Sequence, residues 1–245
     1  MNFPPSTRCF AEFRKSSITF IAVVIIGFVP AMARAQFLHP KISKKEITIR
    51  NVVILPAKVN VVRDSMKGPE GMAQESEDLS ARSEKILAEV LEKDKHVKTL
   101  SPPSAASGEG DAQQRYSVAD FQTKFDDLLP RIMKKRSDVK KARFTMGDEV
   151  LNLNLDKSVD AIIFIRGHGQ KSTGGKKTFN VLTSGILGAV AGQYLNMQIG
   201  IIDAHTGEVL LYTDPVLVGD PATAVDRLRK ALEKGFKKLP VVSVQ

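Results

Sequence analysis

The hydrophobic pattern divides the chain into alternating short strands and longer helices. Residues 47–55 (ITIRNVVIL) are β-branched and apolar and stop at Pro56, so they read as a buried strand. Residues 64–75 (DSMKGPEGMAQE) are polar and glycine-bearing and predict a loop. A helix is predicted over about residues 77–94, because Leu79, Ile86, Leu87, Val90 and Leu91 fall on one face. A short strand near 97–100 precedes SPPSAASGEGDAQQ (101–114), which has the composition of a flexible loop within a domain. A second helix over about 118–135 aligns Phe121, Phe125, Leu128, Leu129, Ile132 and Met133, and Pro130 inside it predicts a kink or a split. Residues 136–158 predict only a short helix near 148–154.

Residues 159–165 (VDAIIFI) are almost continuously apolar, as in a strand covered on both faces. Residues 194–202 and 208–213 flank Asp203-Ala-His-Thr-Gly207, where Gly207 can take the positive φ of a hairpin turn, so they predict an antiparallel pair. The last helix is predicted to start with Asp220 as N-cap and Pro221 in its first turn, burying Val225, Leu228, Leu232 and Phe236. Its opposite face carries Arg227, Arg229, Lys230, Lys234, Lys237 and Lys238. This order predicts a single α/β domain over residues 47–240, with a mixed sheet of about five strands and helices packed on it. Residues 36–46 read as a polar lead-in.

The amino terminus changes the picture from a generic domain to an exported one. Arg8, Arg14 and Lys15 precede the apolar residues 18–29, and Ala33-Arg34-Ala35 follows, which is the pattern of a signal peptide over residues 1–35 cleaved after Ala35. The apolar stretch is shorter than the roughly 20 residues of a spanning helix. The lone cysteine, Cys9, lies before that stretch, so the sequence predicts neither a lipid anchor at this signal nor any disulfide in the exported chain. The expected location is periplasmic or secreted. Loss of residues 1–35 removes Arg8, Arg14, Lys15, Arg34 and Glu12 and lowers the formal net charge from +9 to +6. That balance favours anionic surfaces, whereas export argues against a nucleic-acid partner.

Candidate chemistry concentrates after residue 165. The stretch Arg166-Gly-His-Gly-Gln-Lys-Ser-Thr-Gly-Gly-Lys-Lys177 looks like a phosphate loop but fails the nucleotide-binding pattern. Gly169 is followed by four residues and then Gly174-Gly175, which puts the lysine one place late and Lys177 where a hydroxyl belongs. Two readings stay open: an anion- or partner-contacting loop using Arg166, His168, Lys171, Lys176 and Lys177, or a plain solvent-exposed connection. His39, His96, His168 and His205 lie far apart with no ligand spacing, and neither a Gly-x-Ser-x-Gly elbow nor a His-Glu-x-x-His motif is present, so no metal, cofactor or catalytic residue is predicted. Asp160, Asp203 and Asp214 near strand ends read as caps and turn formers. Residues 178–192 (TFNVLTSGILGAVAG) are small and apolar, and either pack on the sheet or contact membrane.

The strand Asn51-Val-Val-Ile-Leu-Pro56, the strand at 159–165 with its glycine-rich sequel, and the hairpin Ile201-Ile-Asp-Ala-His-Thr-Gly-Glu-Val-Leu210 together resemble envelope proteins sharing the fold of the TolB amino-terminal domain. That group includes the curli secretion channel protein and lipoprotein activators of penicillin-binding proteins. The resemblance implies a non-enzymatic α/β module that binds envelope proteins, and it carries no catalytic residues. Two other readings remain: a secretion or pore component that contacts membrane through residues 178–192, and an enzyme on an anionic substrate using the loop 166–177. Partner identity and oligomeric state are not written in the pattern.

Overall fold

The computed structural model describes residues 36–102, 112–173, 193–220, 223 and 225–242. In chain order the elements are β1 (Gln36–Leu38), α1 (Pro40–Ser43), β2 (Asn51–Ile54), β3 (Lys58–Ser65), β4 (Gly68–Gly71), α2 (Ala73–Lys95), β5 (Lys98–Leu100) and α3 (Ala112–Lys134). Two 3-10 helices follow, Arg136–Lys141 and Gly147–Leu153, then β6 (Ala161–Ser172), β7 (Tyr194–Asp203), β8 (Val209–Thr213), β9 (Val216–Val218) and α4 (Val225–Gly235).

The sheet is mixed and β6 is its spine. One edge of β6 pairs in parallel with β2 over residues 161–163 and with β3 over residues 166–172, while the other pairs antiparallel with β7 from Ala161↔Asp203 to Gln170↔Tyr194. The far edge of β7 meets β8 beside Ile199 to Ile202 and β9 beside Tyr194 to Asn196. β1 closes one side on β8, β5 closes the other on β2, and β4 forms a hairpin with β3.

Successive side chains of a strand point to opposite faces, and each face holds its own core. On one, Ile163, Ile165, Ile199 and Ile201 meet Leu87 and Leu91 of α2 and Leu228 and Leu232 of α4. On the other, Ile162, Phe164 and Tyr212 meet Phe121, Phe125, Leu128 and Ile132 of α3 together with Val139 and Leu153 from the 3-10 helices. Phe125 stacks on Phe164 with ring centroids 4.2 Å apart.

The single α/β domain, its mixed sheet and its packed helices are as the sequence predicts; the strand count is not. Among the described residues the sheet has nine strands rather than about five. The strands beyond those predicted are β1 and β9, three residues each, β4, which is Gly-Pro-Glu-Gly, and β3, whose alternating burial over Lys58–Val62 follows directly on Pro56 and Ala57. The loop predicted over 64–75 is the β3–β4 hairpin and the first turn of α2. Residues 36–46 are not a lead-in: β1 pairs with β8, and His39 and Ile42 are each 1% exposed. Pro130 does not split α3, which runs through it to Lys134 with Pro130 on the exposed side. Val225 is exposed rather than buried, while Leu228, Leu232 and Phe236 are buried as predicted.

Helix α2 also closes part of the edge of β3 that β4 leaves open. Ala57 N–H donates to Glu84 Oε1 at 2.6 Å, Val59 N–H to Ser80 Oγ at 3.0 Å and Val61 N–H to Ser76 Oγ at 2.9 Å. Four residues of helix rise about 6.0 Å, and two residues of strand advance about 6.6 Å. A helix face repeating every four residues therefore matches the outward amides of an antiparallel strand. The serine hydroxyl protons go to the carbonyls of Met72 and Ser76, each at 2.7 Å, which leaves their lone pairs for the strand.

Candidate functional site

The first part of the stretch that reads as a basic loop, residues 166–172, is strand. β6 continues without interruption from the buried apolar residues through Arg166, His168 and Lys171 to Ser172, paired on both edges. Gly167 and Gly169 are strand residues. A Cβ on Gly167 would lie 3.0 Å from both γ-carbons of Val59 on the neighbouring strand, so that glycine serves close packing rather than phosphate binding.

Because the pleat continues, Arg166, His168 and Gln170 lie on the α3 face while Lys171 lies on the opposite one. Arg166 is 7% exposed. Its Nε donates to Asp126 of α3, and its Nη2 reaches the other oxygen of that carboxylate at 3.3 Å. Nη1 and Nη2 also donate to the carbonyls of Ile165 at 3.0 Å and Gln122 at 3.4 Å, and the guanidinium lies 5.8 Å from the Phe125 ring centroid. Nearly all its donors are thus used in tying α3 to the sheet, and none of this leaves Arg166 as a contact for an outside anion.

Lys171 is likewise engaged. Its Nζ stands 2.9 Å from Glu75 Oε2 of α2 and 3.4 Å from Asp220 Oδ1 beyond β9. Burial alone would push its ammonium down, but the Glu75 and Asp220 carboxylates outweigh that and hold it above the ordinary lysine range. Lys176, Lys177 and the segment 178–192 lie outside the described residues, as do Pro221 and the junction before α4.

His168 remains as the exposed member of the predicted set. It stands opposite Asn196 on β7 and Asn60 on β3, with the Tyr194 ring 6.3 Å away and tilted by 53°. Gln198 follows beside Arg166, and Gln170 donates to Asp64 Oδ2 at 3.1 Å. Beyond the Phe125–Phe164 stack, this face of the sheet therefore changes from apolar to a surface of amides, an imidazole and a phenol. Sequence reasoning missed Asn60, Tyr194 and Asn196. The available signal was the alternation Arg-x-His-x-Gln, which keeps the period of the apolar strand before it.

The remaining chemistry-bearing residues are structural. Asp160 accepts from the amides of Arg50 and Asn51 at 2.7 and 2.9 Å, and Asp203 accepts from those of His205 and Thr206 at 2.9 and 2.8 Å, as turn and cap formers. Asp214 pairs with Arg136 at 2.7 Å. His39 caps α1, His96 ends α2 with φ 57°, and His205 sits in the β7–β8 turn. No group of three metal-ligating side chains occurs among the described residues, and no helix among them is long and apolar enough to cross a membrane.

Comparison with known families finds no match, and comparison with curated proteins finds none. Among solved structures, a variant PelC dodecamer from Paraburkholderia phytofirmans aligns at 11% identity and a TM-score of 0.38 over 84% of this chain and 97% of that chain. A second PelC dodecamer structure from the same organism aligns at 9% identity and a TM-score of 0.36 over 78% of this chain and 89% of that one. These matches place the chain in no family.

Proposed function

We propose that the chain is an exported, non-enzymatic α/β module of the bacterial envelope that binds another envelope protein through the polar face formed by Asn60, His168, Tyr194 and Asn196. The signal-peptide pattern ending at Ala35 and the resemblance to TolB amino-terminal-domain-like proteins support the compartment and the class. The observation that carries the binding face is the exposed His168 in mid-sheet, on a strand paired along both edges. Sheet faces in α/β domains are ordinarily covered, and here α3 covers the apolar part with Phe121 and Phe125 and pins its margin through Arg166. The amides and rings beyond that margin suit a partner that presents polar side chains or backbone groups. A binding role also agrees with the His168 imidazole, which no carboxylate or hydroxyl among the described residues hydrogen-bonds, whereas a general base is oriented by such a partner.

A photocrosslinking amino acid in place of His168, compared with one in place of the exposed turn residue Lys157, tests this in envelope extracts. Discrete products from position 168 that weaken in Tyr194→Ala, and that position 157 does not give, are expected. The same products from both positions, or none from 168, would overturn the reading.

A further inference from the structure

A second feature lies away from that face, where β1, α1, the end of α2 and the segment after α4 enclose a pocket of about 640 Å³. Gln36, Leu38, Ile42, Leu239 and Val241 contribute to its lining, so its floor is partly apolar. Lys45, Lys95, Lys140, Lys237 and Lys238 line it as well, and no acidic residue does. None of these five lysines forms an ion pair with a carboxylate among the described residues, although the chain pairs many of its other surface cations. The Gln36 carboxamide braces one wall, accepting from Lys238 N at 2.7 Å and donating to the carbonyl of Lys234.

Lys95 is the decisive residue. It is 8% exposed, and its Nζ donates to the carbonyls of Lys237 at 3.1 Å and Leu239 at 2.8 Å. An ammonium has three donors, so one remains. Desolvation pushes the group below the ordinary lysine range, and the neighbouring Asp94 carboxylate offsets only part of that. A buried cation with a spare donor, ringed by four exposed like charges, forms a site whose electrostatic energy falls when an anion enters.

We propose that this pocket binds an amphiphilic oxyanion, a phosphate or carboxylate head on a short apolar body, with Lys95 as the interior contact and Lys45, Lys140, Lys237 and Lys238 as the outer charges. The apolar body lies against Leu38 and Val241, and the head is held by the lysines. A phosphate of this kind is available either on a free metabolite or as the head group of a membrane lipid.

The test is calorimetric titration of the purified protein with octyl phosphate, inorganic pyrophosphate and neutral octyl glucoside at low salt. Octyl phosphate is expected to bind saturably at one site and more tightly than either of the others. The double variant Lys45→Glu/Lys238→Glu, both exposed positions, is expected to lower that affinity at least about tenfold, as reversal of two nearby charges requires, with an unchanged thermal transition. Lys95→Met is expected to lose binding too, and the exposed double variant keeps the proposal testable should Lys95→Met fail to fold. Co-sedimentation with phosphatidylglycerol vesicles, lost in the double variant, assigns the head group to lipid; binding of octyl phosphate without vesicle binding assigns it to a free ligand. No saturable binding, equal affinity in the double variant, or equal binding of octyl glucoside would overturn the proposal.

Discussion

Replacing Ser80 by alanine removes one hydroxyl and should open one position of the seam between α2 and β3. In the structure Ser80 Oγ accepts from Val59 N–H at the part-buried floor of a surface groove, so water replaces the lost acceptor only in part. An unsatisfied buried amide costs about 1–3 kcal/mol. Alanine returns up to about 0.5 kcal/mol of helix propensity, so with partial solvation of the amide the net loss expected is about 0.5–1.5 kcal/mol. Ser83 supplies the control: it is 0% exposed on the same helix, but its hydroxyl bonds only the helical carbonyl of Leu79, at 2.7 Å. Ser83→Ala leaves no strand amide without a partner and should cost less. Urea unfolding gives the free energies, and amide hydrogen exchange locates them: Ser80→Ala should accelerate Val59 and Ser76→Ala should accelerate Val61, each selectively. A loss below about 0.3 kcal/mol in Ser80→Ala, or equal acceleration of both amides in both variants, would refute the account of the seam.

Asp126→Ala should leave the Arg166 guanidinium mostly buried with carbonyl partners only, and beside Lys58, whose Nζ lies 3.5 Å from the Asp126 carboxylate. Breaking a fully buried pair costs about 3–5 kcal/mol. Because the Asp126 side chain is 38% exposed, about 2 kcal/mol is expected in urea unfolding, and a change under about 0.5 kcal/mol would make this an ordinary surface pair. His39 gives a pH dependence: burial pushes its imidazole below the 6.5 of a free one, although Glu208 acts to raise it, and its Nδ1 accepts from Lys41 N at 3.2 Å as the cap of α1. As pH falls through 6.5 the unfolded chain takes up this proton before the folded one, so this contribution to stability is present above 6.5 and is lost below it. His39→Asn keeps a capping acceptor without titrating, so its unfolding midpoint should fall less than that of the wild type between about pH 7 and about pH 5; parallel losses would sink the assignment.

Much of the fold was legible because burial imposes a period. The stripe Leu79, Ile86, Leu87, Val90 and Leu91 located α2, the aromatic and aliphatic spacing from Phe121 to Ile132 located α3, and the apolar run before residue 166 located the central strand. Short edge strands such as β1, β4 and β9 left no period to read. The candidate site was less legible. Glycine and lysine after Ile165 suggested a loop, since composition does not distinguish a mobile glycine from one that Val59 crowds within a sheet.

By itself the sequence determined the longer helices, the central apolar strand, the β7–β8 hairpin, their apolar faces and the signal-peptide pattern, all of which depend on residues near one another in the chain. Only the tertiary structure decided the roles of the polar residues. Arg166 became a clamp for α3 and Lys171 a tie to Glu75 and Asp220, while His168 stayed exposed beside Tyr194. Lys95 and Lys238 converged on one pocket from positions more than a hundred residues apart. A charged side chain is defined by what lies within a few ångströms of it, and those neighbours come from distant parts of the chain that only folding brings together.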